Sequence, residues 1–510
     1  MSKEILFGQE ARTRIKAGID KACDAVRPTL GAIGMTAMIE YPGLDPIEAD
    51  DGVTILKNID LADPYEQIGV QMIRKAGVRT STEGGDGTAT TTVLTQALVN
   101  AVFSELGDDH SKIREIRERL ESGLREVLGE LSKVKRDLTP DDIERIATIS
   151  SLDPEAGKLI AEMIKEVGVN GSITVEKGSK IGYSKEVVAG AKFDRGLLDA
   201  AFITDQEHQQ CVLEDPYIVL VDRKLSTNEQ ILPLLQSIGT GKSILFIADD
   251  FESVALGTLK YNALAGIAKI ACVRNPFTGQ RGVDFLNDMA MLTGATVISE
   301  GKGMKLSEST DKLCGHAEKV VATKDVTKII GGTEHEGLEA YLTGLLNEKE
   351  ESVSEYGKAT LVERIAGLAG GMGVIRVGTF TDTEFNAKKY KFENAINATQ
   401  AALEEGIVAG GGVALSQLHV EESLFKDVLK APAYQMASNA GVEGYSTEGW
   451  IHGSGVDFKT LKNVNMFDAG IIDPFKVTRL ALESAVAIAT ALVSVQTVII
   501  NEKKDGKEER

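Results

Sequence analysis

The sequence predicts a multidomain α/β protein in which helical chain ends flank an α/β middle. Three observations point there. At 510 residues the chain is too long for one hydrophobic core, which places it at about three domains. From Ser111 to Leu131, apolar Ile113, Ile116, Leu120, Leu124, Val127, Leu128 and Leu131 recur at three- and four-residue steps among charged residues, the pattern of an amphipathic helix. Past residue 190 the short apolar runs YIVLV (Tyr217 to Val221), SILFIA (Ser243 to Ala248), IAKIACV (Ile267 to Val273) and ATVIS (Ala295 to Ser299) alternate with helix-like stretches, which predicts parallel strands joined by helices.

Along the chain, residues 1 to about 134 read as mainly helical, without strand-like runs. Thr139, Pro140 and Asp142 form a helix-start signal that opens a segment closed by Gly168, so a boundary falls near 135. After Leu368 come AGGMG and VIRVG, then helical spacing from Glu384 to Glu405. The GGM glycines and Gly190 bracket the α/β region, either as hinges of an inserted domain or as ordinary turn glycines. LALESAVAIATALVSVQTVII (Leu480 to Ile500) is broken by Glu483, Ser484, Thr490, Ser494 and Gln496. A membrane span needs about twenty mostly apolar residues, so this reads as a buried helix of small residues running into a strand, TVII. The tail NEKKDGKEER reads as disordered.

Composition narrows the partners. A net charge of -20, from 76 acidic against 56 basic residues, opposes nucleic-acid phosphates and anionic membrane surfaces alike. Cys23, Cys211, Cys272 and Cys314 lie far apart with no CxxC, which predicts buried thiols in a reducing compartment. The opening MSKEILFGQEARTRIKAG lacks a signal peptide's apolar core, so a cytoplasmic location is expected.

The densest chemistry lies in EGGDGTATTT, Glu83 to Thr92. Gly84, Gly85 and Gly87 permit positive φ and close approach of backbone N–H groups to an anion. Thr88, Thr90 and Thr91 offer hydroxyls where the helix TTVLTQALVNAV begins, and Asp86 is a hard oxygen ligand for Mg2+ held between phosphate and protein. A nucleoside triphosphate suits this pattern. A capped glycine-rich turn would look the same locally. GGDGT also marks certain lipid and NAD kinases, but there it follows a strand, whereas QIGVQMIRKAGVR precedes it here with helical spacing. GTGKS (Gly239 to Ser243) lacks the first glycine of GxxxxGK(S/T) and leads into a strand, so it reads as a helix-to-strand turn. GGMGVIR fails the dinucleotide pattern at Arg376 and reads as a hinge.

TLGAIGM (Thr29 to Met35), DDGVTI (Asp50 to Ile55), GGDGTATTTVL, KFDRGLL (Lys192 to Leu198), LAGGMGVIRVG (Leu368 to Gly378), AALEEGIVAGGGVAL (Ala401 to Leu415) and GIIDPFKVTRLAL (Gly470 to Leu482) together resemble the group I chaperonins, the GroEL type, over residues 2 to 500. The resemblance implies an equatorial ATP-binding domain from residues 1–134 and 406–510, a small intermediate domain from 135–189 and 371–405, and an α/β apical substrate-binding domain from 190–370. It implies single or double heptameric rings that bind and enclose non-native protein clients, driven by ATP with Mg2+ and K+, and a co-chaperonin partner. It further implies that Thr29, Leu30, Gly31, Gly52, Gly87, Thr88, Thr90 and Thr91 cradle the phosphates, with Asp86 on the metal. Gly411 would pack on the nucleotide, Ile149 and Ile471 would border the base, and Asp473 would accept from the ribose. Asp51 would stand beside the γ-phosphate.

The chain departs from the family at telling places. Asp50 stands where the family has lysine, and a carboxylate about 4 Å from phosphate costs about 4 kcal/mol at an effective dielectric near 20. Asn394, in FENAINATQ, stands where the family has its water-activating aspartate, and an amide orients water without accepting its proton. Slow ATP turnover is expected, with Asp51 as the remaining carboxylate and Asp50 as a candidate substitute. The family's NAA at the adenine maps onto Asp457, Phe458 and Lys459. Leu197, Phe202, Leu232, Leu235, Leu256 and Tyr261 match the client groove, although leucines at helical spacing are equally core residues. Lys260 and Ala201 replace larger apolar groove residues. Three readings follow: a chaperonin ATPase, a ring-forming holdase or scaffold with little hydrolysis, and a small-molecule kinase.

Overall fold

The computed structural model describes residues 3–501 apart from 41–45, 108, 169–170, 207, 300, 302, 306–307, 309, 352–353, 370 and 448–452. The tail beyond 501, read as disordered from its composition, lies outside the described residues. The chain forms two compact units, one from residues 1–161 and 386–510 and the other from 162–385.

The first unit is a helical core. Helices Gly8–Val26, Pro64–Gly84, Thr88–Leu106, Ile113–Lys133 and Phe475–Val493 bury Ile15, Ile19, Ile73, Leu94, Leu98, Leu120, Leu482 and Leu492 in one cluster. Of the stripe that predicted the Ile113–Lys133 helix, Ile116, Leu120, Val127 and Leu131 are fully buried, while Ile113, Leu124 and Leu128 pack on the margin. Asp63 starts the Pro64–Gly84 helix by accepting from the Tyr65 N–H at 2.8 Å, and Pro64 fits the first turn because it has no N–H to leave unpaired. The predicted start at Thr139 is a capping box, with the Thr139 N–H donating to the Asp142 carboxylate at 2.9 Å.

Strands were not expected in the N-terminal region, yet it contains three short ones, Lys3–Phe7, Ala37–Ile39 and Ile47–Ala49. Lys3–Phe7 pairs antiparallel with Thr497–Asn501, a partner at the far end of the chain that local periodicity cannot reveal. The segment from Leu480 forms the buried Phe475–Val493 helix followed by that strand, as its interrupted apolar pattern indicated. Among the described residues no helix is long and apolar enough to cross a membrane.

The second unit is built on a seven-stranded sheet. Tyr217–Leu225, Ser243–Phe251 and Lys269–Arg274 run parallel. The rest of the sheet departs from the expected parallel order, because Gly190–Phe193, Cys211–Glu214, Gly315–Ala322 and Thr327–Gly332 join antiparallel. ATVIS forms no ladder and touches the sheet by one parallel bridge, Ile298 to Val221. The same flank of Tyr217–Leu225 is taken at its start by Gly315 and His316, which leaves little edge to pair with.

Met372–Gly378 is the middle strand of a second sheet, parallel to Ser172–Lys177 and antiparallel to Gly182–Val188. Of the GGM residues read as a hinge or a turn, Gly371 precedes this ladder with a left-handed φ of +63°, Gly370 lies outside the described residues, and Met372 opens the strand. A Cβ on Gly373 would collide with the Met163 side chain, and one on Gly190 with the Ile329 carbonyl, so close packing is what these glycines serve. GTGKS is the turn between helix Asn228–Ile238 and strand Ser243–Phe251, as read from the sequence.

Two glycines let the first pair of helices touch backbone to backbone. A Cβ on Gly18 would collide with the Glu66 carbonyl, and one on Gly69 with the Ile15 carbonyl. Gly69→Ala is expected to destabilise the chain by about 1–3 kcal/mol through overpacking, read as a lower midpoint in thermal or urea unfolding; an unchanged midpoint would show that the helices can part without cost.

Candidate functional site

The loop Gly85–Asp86–Gly87 joins helices Pro64–Gly84 and Thr88–Leu106, so GGDGT sits between two helices. Gly85 and Gly87 both have left-handed φ, +83° and +96°. Each is also pressed by a neighbour: a Cβ on Gly85 would strike Asn397 and Ala398 of helix Asp382–Glu405, and one on Gly87 would strike Val477 of helix Phe475–Val493. Conformation and space together admit only glycine. Gly87 caps the Thr88–Leu106 helix without a side-chain hydrogen bond, leaving first-turn amides and the positive end of the helix dipole for an anion.

The threonine hydroxyls do less than expected. Thr88 Oγ1 donates to the Gly77 carbonyl at 3.1 Å, and Thr91, fully buried, donates to the Gly87 carbonyl at 2.9 Å. Both tie the loop to its own helices, which corrects their assignment as hydroxyl donors to phosphate. Thr90 is half-buried. Thr29 likewise donates inward, to the Val26 carbonyl at 2.9 Å. Asn439 donates to the Arg27 and Leu30 carbonyls, clamping the turn at Gly31, whose φ is +96°. Gly52 is buried, and a Cβ there would collide with the Thr88 and Val26 side chains.

Four carboxylates gather around this loop. Asp86 accepts from the Gly87 N–H at 2.6 Å, with Ser150 Oγ 3.5 Å from its other oxygen. It keeps a solvent-facing edge, but surrounding protein raises its pKa, opposed by the Gly87 and Ser150 contacts and reinforced by the nearby charge of Asp51. Asp473, on strand Ile472–Pro474, is pushed up to about 7 by burial first and by Asp86 second. Asp51 caps the short helix Gly52–Lys57 by accepting from the Thr54 N–H at 2.8 Å. Asp50 pairs with Lys391 at 2.7 Å, so the carboxylate expected to repel phosphate has a cation beside it.

Helix Asp382–Glu405 presents Tyr390, Lys391 and Asn394 to this region. The Tyr390 hydroxyl lies near Ser81, Asn394 and Asp51, and burial raises its pKa, with the charge of Asp51 adding to the effect. Sequence reasoning missed Tyr390 and Lys391, although Tyr390 stands one helical turn before Asn394 and so shares its face. Among the described residues no three acidic, histidine or cysteine side chains close on one metal position. Asp86 alone on a cleft beside free amides suits a hard cation that draws its remaining ligands from phosphate and water.

At the other end, strands Ile407–Ala409 and Ile472–Pro474 pair antiparallel. The pairing sets Val408 opposite Asp473 and brings the Gly410 N–H to the Ile471 carbonyl at 2.9 Å, so Gly411, Ile471 and Asp473 come together. Ile149 is exposed on helix Pro140–Ser151, one residue from Ser150. Phe458 is buried, with Tyr445 5.5 Å away ring to ring.

In the other unit, helices Asn228–Ile238 and Ser253–Leu264 carry most of the predicted groove. Leu232 and Tyr261 are exposed, and Leu197, Leu235 and Leu256 are partly buried against the core. Phe202, only 1% exposed, belongs to that core, which corrects its placement on the groove. Val254 (59% exposed) and Leu264 (71%) were missed; with Tyr261 they recur at helical steps on the face opposite Ala255 and Leu259. Lys260 pairs with Asp199 at 2.6 Å.

A family model described as the TCP-1/cpn60 chaperonin family matches residues 23–503. The chain belongs to this chaperonin family. The chaperonin gp146 from the bacteriophage EL 2 (Pseudomonas aeruginosa), crystallised in presence of ATP-BeFx, matches it with TM-scores of 0.69 and 0.62 in two crystal forms. Each match is 21% identical and covers 98% of this chain and 99% of that one, which shows a shared fold. The resemblance to the chaperonins and the multidomain fold it implied are thus upheld, and the chaperonin is a molecular chaperone by family.

The raised pKa of Asp473 has a consequence for the chaperonin without nucleotide. A folded carboxyl titrating near 7 against about 3.9 when unfolded binds its proton more tightly in the native state, so this group's contribution to stability is full below about pH 4 and is lost as pH rises to about 7. Asp473→Asn should therefore raise the melting temperature at pH 8, by on the order of 1–3 kcal/mol in stability, and give no gain at pH 4. Equal shifts at both pH values would rule out the coupled acid.

Proposed function

We propose that this chaperonin binds Mg-ATP at the Gly85–Asp86–Gly87 loop and uses slow hydrolysis to time the holding and enclosure of non-native proteins in a ring. The observation that carries the reading is the glycine-locked loop, which sets an uncapped helix N-terminus and Asp86 side by side. The gp146 crystals grown with ATP-BeFx support the same ligand for this fold. In this reading the amides of Thr88 to Thr90 and the backbone at Leu30 and Gly31 hold phosphate, and Asp86 holds the metal, which neutralises phosphate charge. Gly411 and Ile471 border the nucleoside and Asp473 accepts from ribose. The domain division drawn from the sequence, equatorial 1–134 and 406–510, intermediate 135–189 and 371–405 and apical 190–370, belongs to the same proposal, as do a heptameric ring and a co-chaperonin.

Hydrolysis needs a group that takes a proton from water. Asp51 is the acid on hand, with Tyr390 near it and Asn394 near Tyr390 to orient the water. Because Asn394 cannot accept the proton, turnover is slow, and the holdase reading rests on that one residue. Asn394→Asp is expected to raise the steady-state ATPase rate about tenfold or more, general-base catalysis being worth about 10²–10⁴ in rate, while Asp86→Ala abolishes Mg-ATP retention. No acceleration in Asn394→Asp would mean that Asp51 already serves fully, and Mg-ATP retention by Asp86→Ala would overturn the metal assignment. Electron microscopy with and without ATP reads the rings and their movement.

Client capture is assigned to the apolar face of helices Asn228–Ile238 and Ser253–Leu264, because exposed Leu232, Val254, Tyr261 and Leu264 can bury non-native apolar segments. Tyr261→Ser with Leu264→Ser should lower the fraction of unfolded client retained in a pull-down about tenfold, with Mg-ATP affinity unchanged. Undiminished capture would move the client site elsewhere.

A further inference from the structure

We infer that Lys391 is a phosphate-sensing cation: it leaves Asp50 for the terminal phosphate of bound ATP and returns to Asp50 when only ADP is present. The inference rests on the Mg-ATP reading above and deepens it, by assigning the ATP-versus-ADP discrimination of that site to a residue outside the glycine loop.

Three observations lead to it. The Lys391 ammonium lies 2.7 Å from Asp50, with the two side chains 38% and 43% exposed. A pair so open to water is weak, so a more highly charged anion can displace the carboxylate. The position is the second. Asp50 directly precedes Asp51, whose charge reaches Asp86, and Lys391 directly follows Tyr390, which lies near both Asp51 and Asn394. The ammonium therefore stands on the rim of the acid-lined cleft, and a lysine stem is long and flexible enough to exchange partners. Charge balance is the third. Among the described residues, no other cation forms an ion pair with Asp50, Asp51, Asp86 or Asp473. A triphosphate entering beside these acids needs a compensating cation besides its metal, and Lys391 is in place to provide it. Asp50 then acts as a parking partner, competing with phosphate for the lysine and keeping it ordered in the absence of a γ-phosphate.

The test is the affinity of Mg-ATP and Mg-ADP, measured by calorimetry on the full chain, for the wild type, Lys391→Met, Asp50→Asn and the double variant. Melting temperatures without nucleotide report any structural role of the pair. Lys391→Met should weaken Mg-ATP about tenfold or more, the range of one charge-assisted hydrogen bond, and leave Mg-ADP within about twofold. Asp50→Asn should tighten Mg-ATP, and this gain should shrink when Lys391 is also Met. Equal losses for both nucleotides, no loss for either, or the same gain from Asp50→Asn in both backgrounds would overturn the inference while the Mg-ATP site stands. A wild type that binds neither nucleotide would overturn the site itself, and this inference with it.

Discussion

Two helices crowd one three-residue loop, and that contact orders everything around it. Helix Asp382–Glu405 presses on Gly85 through Asn397 and Ala398, while helix Phe475–Val493 presses on Gly87 through Val477. With both glycines in left-handed conformation, the loop has a single path, and the first turn of the next helix opens onto the cleft. The opening of the helix N-terminus onto the cleft is therefore a product of packing as much as of the loop's own composition. It also explains why the threonine hydroxyls turn inward: Thr88 and Thr91 fasten the loop to its flanking helices, and the backbone is left to meet the ligand.

The cleft is rich in carboxylates whose charges act on one another. The pKa of Asp473 is raised by burial and by the charge of Asp86, and that of Asp86 by the surrounding protein and by the charge of Asp51. Such a group of acids is poor at receiving a bare anion and good at receiving one that arrives with a divalent metal, because the metal relieves both the desolvation and the repulsion. The Lys391–Asp50 pair tempers the charge at the rim. Asn394 keeps nearly the volume of a carboxylate at its position, without a carboxylate's capacity to accept a proton.

Sequence and structure part where a residue's fate is decided by a distant neighbour. Phe202 resembles a groove residue by position, but in the fold it fills the core beside the parallel strands. Val254 and Leu264 escaped notice because their helix carries apolar residues on both faces, so periodicity alone does not separate the buried side from the exposed one. ATVIS has strand composition and no free edge to join. Gly373, just past the GGM run, has no room for a side chain because Met163 packs against it, a neighbour far away in sequence. Lys3–Phe7 becomes a strand only because Thr497–Asn501 lies beside it.

By itself the sequence determined the helical ends and α/β middle, the chaperonin resemblance, the loop between two helices with Asp86 at its tip, and the departures at Asp50 and Asn394. These are written in local periodicity, in glycine placement and in motifs of adjacent residues. Tertiary structure decided which hydroxyls face the cleft, which apolar side chains stay exposed, and that Asp50 meets Lys391, a residue far along the chain. The physical reason is that side-chain direction and charge pairing depend on what packs opposite, and no local pattern encodes a partner brought in from the other end of the molecule.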